Sequence, residues 1–186
     1  MPDLPLPPTG TALVTGPSNA GKTRLTARAL DAWVAEYGAD GVVVLDFAPE
    51  LERDGTLLGG RLTQFTDVPA EAWRGVLEAH APRAGGETNA EALSLAAANA
   101  RRARRIVSAA PASPRAVFVN DATIPFQADG PDGFDPGVLT GYCDRADAAV
   151  CNAFESDELG VDDPVSRNER AALEALREWA DRVVEL

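Results

Sequence analysis

Eight consecutive residues have the types and spacing of a turn that binds phosphate. They fit the pattern G-x-x-x-x-G-K-[ST] without a gap and read Gly16-Pro17-Ser18-Asn19-Ala20-Gly21-Lys22-Thr23. The glycines allow a tight turn, and the backbone N–H groups from Ser18 to Thr23 are expected to point into one concavity. The positive end of the following helix dipole adds to the attraction for an anion. We expect Lys22 to reach the phosphates, Arg24 to join the contacts, and the Thr23 hydroxyl to bind Mg²⁺.

The lysine of this pattern is unusual in this chain. Of the 17 basic residues, only Lys22 is a lysine, and all the others are arginines. A phosphate-binding turn needs a compact ammonium on a flexible stem, and the planar guanidinium of arginine replaces it poorly. The exception therefore falls where this chemistry requires it.

Alternating strand and helix patterns surround the turn. Apolar runs predict strands at residues 11–15, 41–47 and 116–121, within residues 146–154, and at the C-terminal end. Helical periodicity predicts helices over residues 22–37, from Pro69 to about residue 80 and from Thr88 to about residue 110, and a last helix capped by Ser166 and Glu169. We therefore expect an α/β fold with three layers, in which a mostly parallel sheet has helices on both faces.

With this turn between a strand and a helix, the chain resembles the P-loop NTPase superfamily over residues 11–30. The resemblance implies that the chain binds ATP and Mg²⁺. It also implies an acid at the end of another strand, and Asp121 fits that position as a metal ligand, with Asn120 able to share the role. Because Ala122 follows Asp121, the Asp-Glu pair of many motor ATPases is not present.

Two further positions are candidates for catalysis. Asp46 ends the second predicted strand, at the edge of the sheet where ligands bind in α/β proteins. In kinases of the P-loop superfamily an acid at such a place holds or deprotonates the acceptor hydroxyl. Asp46 could be that base or a second ligand of the metal, and Glu50 is the reserve candidate. An arginine that closes over the γ-phosphate could come from Arg61 or from the arginines at 101, 102, 104 and 105, although the latter group also suits a solvated helix end.

The nucleotide base and the subfamily are less well indicated. GTP-binding members place N-K-x-D near the fourth strand, whereas this chain has Cys151-Asn152-Ala153-Phe154-Glu155-Ser156, so ATP is the expected base and GTP remains open. Residues 152–186 are loosely similar to the C-terminal part of adenosylcobinamide kinases. That similarity favours a kinase.

Composition excludes several other classes. A formal net charge of -12 repels nucleic acid, and no apolar run is long enough to span a membrane. The N-terminal residues lack the pattern of a secretory signal, and Cys143 and Cys151 lack metal-binding spacing, so we expect a cytoplasmic protein with reduced, buried thiols. We expect a single nucleotide-binding domain over residues 1–186, with an extended lead-in at 1–10 and a mobile loop at 123–142.

Three functions are compatible with these patterns. The first is transfer of the γ-phosphoryl group of ATP to a small-molecule acceptor, or hydrolysis of ATP. The second is a regulatory NTPase in which nucleotide orders residues 48–61 and so controls a partner. The third is a non-catalytic nucleotide-binding module. The sequence predicts neither the acceptor, nor a protein partner, nor the oligomeric state.

Overall fold

The computed structural model describes residue 6, residues 8–53, 56–58 and 60–186, and for residues 51–53 and 56–58 the backbone alone. The predicted lead-in therefore lies largely outside the described residues, as does part of the 48–61 segment. The remainder of the chain forms an α/β fold. None of the helices in these ranges is long and apolar enough to cross a membrane.

Six strands form one sheet in which every neighbouring pair is parallel. The strands are β1 (Gly10–Gly16), β2 (Val42–Asp46), β3 (Leu51–Arg53), β4 (Thr56–Leu58), β5 (Trp73–Val76), β6 (Ala116–Asn120), β7 (Ala148–Phe154) and β8 (Arg182–Glu185). The order across the large sheet is β5-β2-β6-β7-β1-β8. Strands β3 and β4 form a separate antiparallel pair.

Helices cover both faces of the sheet and give the three layers that were predicted. The helices are α1 (Lys22–Tyr37), α2 (Pro82–Gly85), α3 (Asn89–Ala109), α4 (Pro136–Cys143) and α5 (Pro164–Trp179). On one face of the sheet, α1 packs through Leu25, Leu30 and Trp33. On the other face, α3, α4 and α5 pack against the sheet in a second apolar cluster. The central strands are buried on both faces because helices cover both, which explains their unbroken apolar runs.

The topology brings the candidate residues to one edge of the sheet. Because all six strands run in the same direction, their carboxyl ends meet there. The end of β1 leads into the Gly16–Thr23 segment, the end of β6 leads into Asp121, and β2 ends at Asp46. Strand β7 lies between β1 and β6, so its residues separate the segment from Asp121.

The helix predicted from Pro69 is absent, and this prediction was wrong. Residues 73–76 instead form β5, which pairs with β2 at the edge of the sheet. The apolar residues there recur at a spacing that also fits a helix, and short apolar runs do not separate the two possibilities. Gly75 shows why the strand suits the fold: a Cβ at this position would lie 2.3 Å from Cγ2 of Ile106 on α3.

Two other regions differ from the sequence prediction. Residues 123–142 contain turns of 3-10 helix and α4, and they place Phe126, Phe134 and Leu139 in the core. The segment is therefore not an open loop, and its mobility stays a prediction. The last helix is capped by Asp163, whose side chain accepts from the Ser166 N–H, and not by Ser166 with Glu169. Cys143 and Cys151 are both buried and free.

Candidate functional site

The Gly16–Thr23 segment connects β1 to α1 through an unusual backbone path. Gly16, Asn19 and Gly21 all have positive φ angles, of 151°, 60° and 98°. At Gly16 a Cβ would lie 2.8 Å from the backbone oxygen of Leu186, so only glycine fits there. At Gly21 no atom lies within 4 Å of a Cβ, and glycine is favoured by its left-handed conformation at the N-cap.

Backbone N–H groups of this segment are free to bind an anion. Within the described part of the chain, the amides of Asn19, Gly21, Lys22, Thr23 and Arg24 have no hydrogen-bond partner, and α1 has no side-chain cap. The first amides of a helix have no partner inside the helix, so they are satisfied from outside. Four of the five amides, at Asn19, Gly21, Lys22 and Thr23, are among the Ser18–Thr23 amides that the sequence pattern predicts for phosphate binding. The other two predicted donors are engaged, because the Ser18 N–H donates to Glu158 and the Ala20 N–H donates to the Pro17 backbone oxygen.

Lys22 lies inside this segment. Its side chain is only 7% exposed, and Nζ donates a hydrogen bond of 2.6 Å to the carbonyl oxygen of Pro17. Nζ also lies 5.9 Å from the ring centroid of Phe154, at the end of β7. Burial lowers the pKa of Lys22, while the negative charges of Asp121 and Glu158 oppose that shift. The ammonium is thus held within the segment itself, near two carboxylates.

Asp121 follows β6 in a left-handed conformation, with φ of 54°, which is uncommon for a residue other than glycine. Its N–H donates to Oδ1 of Asn152 at 2.9 Å, and this bond fixes the bend. Burial raises the pKa of Asp121 to about 6, Lys22 opposes the rise, and the carboxylates of Glu169 and Asp46 add to it. The predicted lysine and acid are therefore close enough to interact electrostatically.

Asp46 is fully buried, and both of its carboxylate oxygens are engaged. Oδ1 accepts from Nδ2 of Asn120 at 2.8 Å, and Oδ2 accepts from the Leu62 N–H at 3.0 Å and from Arg74 at 3.4 Å. These bonds attach the 60–62 turn and the edge strand β5 to the end of β2. The role of Asp46 as a base or second metal ligand stays a prediction.

A buried pair of asparagines connects Asp46 to α1. Asn152 on β7 donates to Oδ1 of Asn120 and to Oγ1 of Thr26, both at 2.9 Å. The Thr26 hydroxyl in turn donates to the backbone oxygen of Lys22 at 3.1 Å. The side chain of Asn120 is thus directed at Asp46 and Asn152, and Asn152 links the first turn of α1 to the end of β6.

Glu169 on α5 was not predicted as a site residue. It is 4% exposed and accepts hydrogen bonds from Thr123 at 2.8 Å, from Gln127 at 3.2 Å and from Arg83, which is also its ion-pair partner. Its charge reaches Asp121, as the raised pKa shows. Because Arg83 is 86 residues away from Glu169, no local pattern could indicate this cluster.

A cavity of about 180 Å³ adjoins this cluster. Its walls include Arg83, Phe154, Glu169 and Arg170. Two of these wall residues also interact with the predicted site: the Phe154 ring centroid lies 5.9 Å from Nζ of Lys22, and the Glu169 charge contributes to the raised pKa of Asp121. The volume corresponds to the liquid volume of about six water molecules.

Thr23 ends the segment and is half-buried in the first turn of α1. The predicted arginines lie at the protein surface or partly buried beneath it. Arg24 is exposed, with its guanidinium 5.5 Å from the ring centroid of Phe65. Arg61 is 3.4 Å from Glu50. The arginines of α3 make surface contacts: Arg101 with Asp132, Arg102 with the backbone oxygen of Glu78, and Arg104 with the backbone oxygen of Gly133.

The comparisons with known proteins assign no function, so the functional hypothesis rests on the geometry of the site. No protein-family model and no curated protein matches the chain. Among the residues that the structure describes, no three His, Cys, Asp or Glu side chains converge as a ready-made metal site.

Proposed function

We propose that the chain binds ATP together with Mg²⁺ at the Gly16–Thr23 segment, as a member of the P-loop NTPase superfamily. The observation that carries the proposal is that five amides without a partner, the Lys22 ammonium and the Asp121 carboxylate that acts on it all follow strand ends at one edge of a parallel sheet. This arrangement combines donors for phosphate oxygens with an acid for a metal. The proposed location is the cytoplasm.

The amides and Lys22 would bind the phosphate chain. The free N–H groups from Gly21 to Arg24 lie at the N-terminus of α1, where the helix dipole also favours negative charge. Lys22 now donates to the Pro17 carbonyl oxygen, which belongs to the same segment, so a small rotation of its side chain would redirect Nζ to a phosphate oxygen. In phosphoryl transfer, such contacts neutralise the charge that spreads over the transferring group.

The residues present fit a magnesium ion. Mg²⁺ prefers oxygen ligands, retains several waters, and is commonly bound by one or two protein groups together with substrate phosphates. The Thr23 hydroxyl and the Asp121 carboxylate are oxygen donors on two elements that meet at this edge of the sheet. When bound, the ion would supply positive charge to the phosphates. The raised pKa of Asp121 fits this role, because a cation would compensate the charge that burial disfavours.

The polar cavity beside Phe154 is the proposed place for an acceptor. Its walls include Phe154, whose ring centroid lies 5.9 Å from Nζ of Lys22, and both arginine and carboxylate side chains. A small hydroxyl compound in this cavity would make the protein a kinase, and water alone would make it a hydrolase. Asp46, which we predicted as the base, would have to exchange one of its present hydrogen bonds to take a proton.

The engagement of both Asp46 oxygens favours one alternative, a nucleotide-binding module without turnover. In that case Asp46 only fixes the 60–62 turn, and nucleotide binding would itself be the function. A regulatory NTPase, in which residues 48–61 respond to nucleotide, remains a further proposal.

The test is binding of ATP and GTP, with and without Mg²⁺, by calorimetry. Replacement of Lys22 by alanine removes a charged hydrogen bond worth about 1.5–3 kcal/mol, so we expect ATP affinity to fall about 10- to 150-fold. Arg28→Gln is the matched control, because Arg28 is an exposed cation on the same helix and should leave the affinity within about twofold.

Turnover separates the catalytic and non-catalytic proposals. Phosphate release from ATP, with and without a panel of small hydroxyl compounds, distinguishes transfer from hydrolysis. Tight binding without turnover under any of these conditions would support the module. If neither nucleotide binds at millimolar concentration, or if Lys22→Ala binds as well as the wild type, the proposed function is wrong.

A further inference from the structure

One amide of the Gly16–Thr23 segment already has an anionic partner from a distant part of the chain. The Ser18 N–H donates a hydrogen bond of 2.8 Å to Oε1 of Glu158. Glu158 lies 140 residues later, between β7 and α5. A carboxylate oxygen thus occupies one of the positions that the sequence pattern assigns to a phosphate oxygen.

The charges of the site hold Glu158 in this position. The hydrogen bond from Ser18 lowers the pKa of Glu158, and the positive charge of Lys22 contributes to the same shift. In turn, the negative charge of Glu158 acts on Lys22. The carboxylate therefore interacts with the same two groups that would bind the phosphate chain.

Local bonds shape the loop that carries Glu158. At its start, the Glu155 N–H donates to the Gly16 backbone oxygen at 2.9 Å. The Glu158 N–H donates to Oγ of Ser156 at 3.2 Å, Asp157 pairs with Arg170 on α5, and the Gly160 N–H donates to the Asp157 backbone oxygen at 3.0 Å. The placement of Glu158 is thus supported from both sides.

We propose that Glu158 is an internal competitor of the phosphate chain, and that nucleotide binding must displace it. This inference rests on the proposed function. One N–H cannot donate fully to both Glu158 and a phosphate oxygen, and the two anions also repel each other. Residues 155–163, here called the acidic loop, contain five acids and no basic residue, namely Glu155, Asp157, Glu158, Asp162 and Asp163.

The displacement has a consequence for the acidic loop. When Glu158 leaves Ser18, the acidic loop loses one of its bonds to the Gly16–Thr23 segment, while the Glu155 N–H still donates to the Gly16 backbone oxygen and Asp157 still pairs with Arg170 on α5. The side chain of Glu158 would therefore have two positions, one against Ser18 without nucleotide and one away from it with nucleotide.

The experiment is calorimetric binding of pyrophosphate and of Mg-ATP to Glu158→Gln and Glu158→Ala. Glu158 is exposed, so these substitutions should not disturb folding. Because the competing charge is removed, we expect both ligands to bind about three- to tenfold more tightly than to the wild type. Glu178→Gln is the control, because it removes an exposed acid from the last turn of α5, outside the walls of the cavity, and should leave affinity within about twofold.

Equal or weaker binding to both Glu158 variants would overturn the proposal, as would an equal gain in Glu178→Gln. Hydrogen exchange of the Ser18 amide without ligand gives an independent readout. We expect slower exchange in the wild type than in Glu158→Ala, and equal rates would also overturn the proposal. If neither ligand binds any of the proteins, the proposed function fails, and the exchange rates alone decide whether Glu158 holds the segment.

Discussion

Replacement of Asp121 by asparagine should make the ligand-free protein more stable at neutral pH, although it removes a predicted metal ligand. Asp121 is the acid whose pKa burial raises from its ordinary value of 3.8 to about 6. Well below pH 3.8 the side chain is protonated in both the folded and the unfolded protein and has no effect on stability. As the pH rises to 6, the unfolded protein loses the proton first, so the folded state loses stability.

The size of this loss follows from the two pKa values. Each pH unit between them changes the free energy of unfolding by about 1.36 kcal/mol, which gives about 3 kcal/mol above pH 7. Asparagine has no charge at any pH and has nearly the same shape. Asp121→Asn should therefore exceed the wild type by only about 0.5 kcal/mol at pH 4 and by about 1–3 kcal/mol at pH 8.

Urea unfolding of both proteins between pH 4 and pH 8, with EDTA present, measures this difference directly. Asp40→Asn, which changes an exposed acid at the turn after α1, should show no such trend. If Asp121→Asn were less stable than the wild type at pH 8, or if the difference were independent of pH, the electrostatic description of the site would be refuted. Mg-ATP binding should meanwhile be weaker in Asp121→Asn.

Two further substitutions examine the buried network. Asn152→Ala removes the donor to Thr26 and leaves Oδ1 of Asn120 and the Asp121 N–H without their partner, so it should cost about 2–4 kcal/mol in urea unfolding. A loss below about 1 kcal/mol would show that water replaces the side chain. Asp46→Asn should bind ATP within about threefold of the wild type, and only if Asp46 is the base should phosphate release fall by 100-fold or more.

The sequence could predict the parts of the fold that depend on local signals. Buried strands such as β2 and β6 were found because a strand with helices on both faces is apolar at every position. Helix α3 was found because Thr88 and Glu91 form a capping box, which the structure contains. The positions of Asp46 and Asp121 at strand ends followed from the same runs.

The remaining features depend on contacts between distant residues. The helix predicted from Pro69 was wrong because the sequence does not show that Ile106 lies close to Gly75 in the folded chain. Residues 123–142 are rich in Gly, Pro and Asp, yet the rings of Phe126 and Phe134 stack within the core, with their centroids 5.3 Å apart. Likewise, the contact between Glu158 and Ser18 joins two segments that show no relation in the sequence.

The close approach of Leu186 to the start of the segment has a practical consequence. Its N–H donates to the Thr15 backbone oxygen at 2.9 Å, and its own backbone oxygen lies next to Gly16. Any tag or additional domain fused after Leu186 would therefore begin beside the proposed nucleotide site. A polyhistidine tag there would bring metal-binding imidazoles close to the Gly16–Thr23 segment. Nucleotide and Mg²⁺ binding should therefore be measured on a protein from which such a tag has been removed.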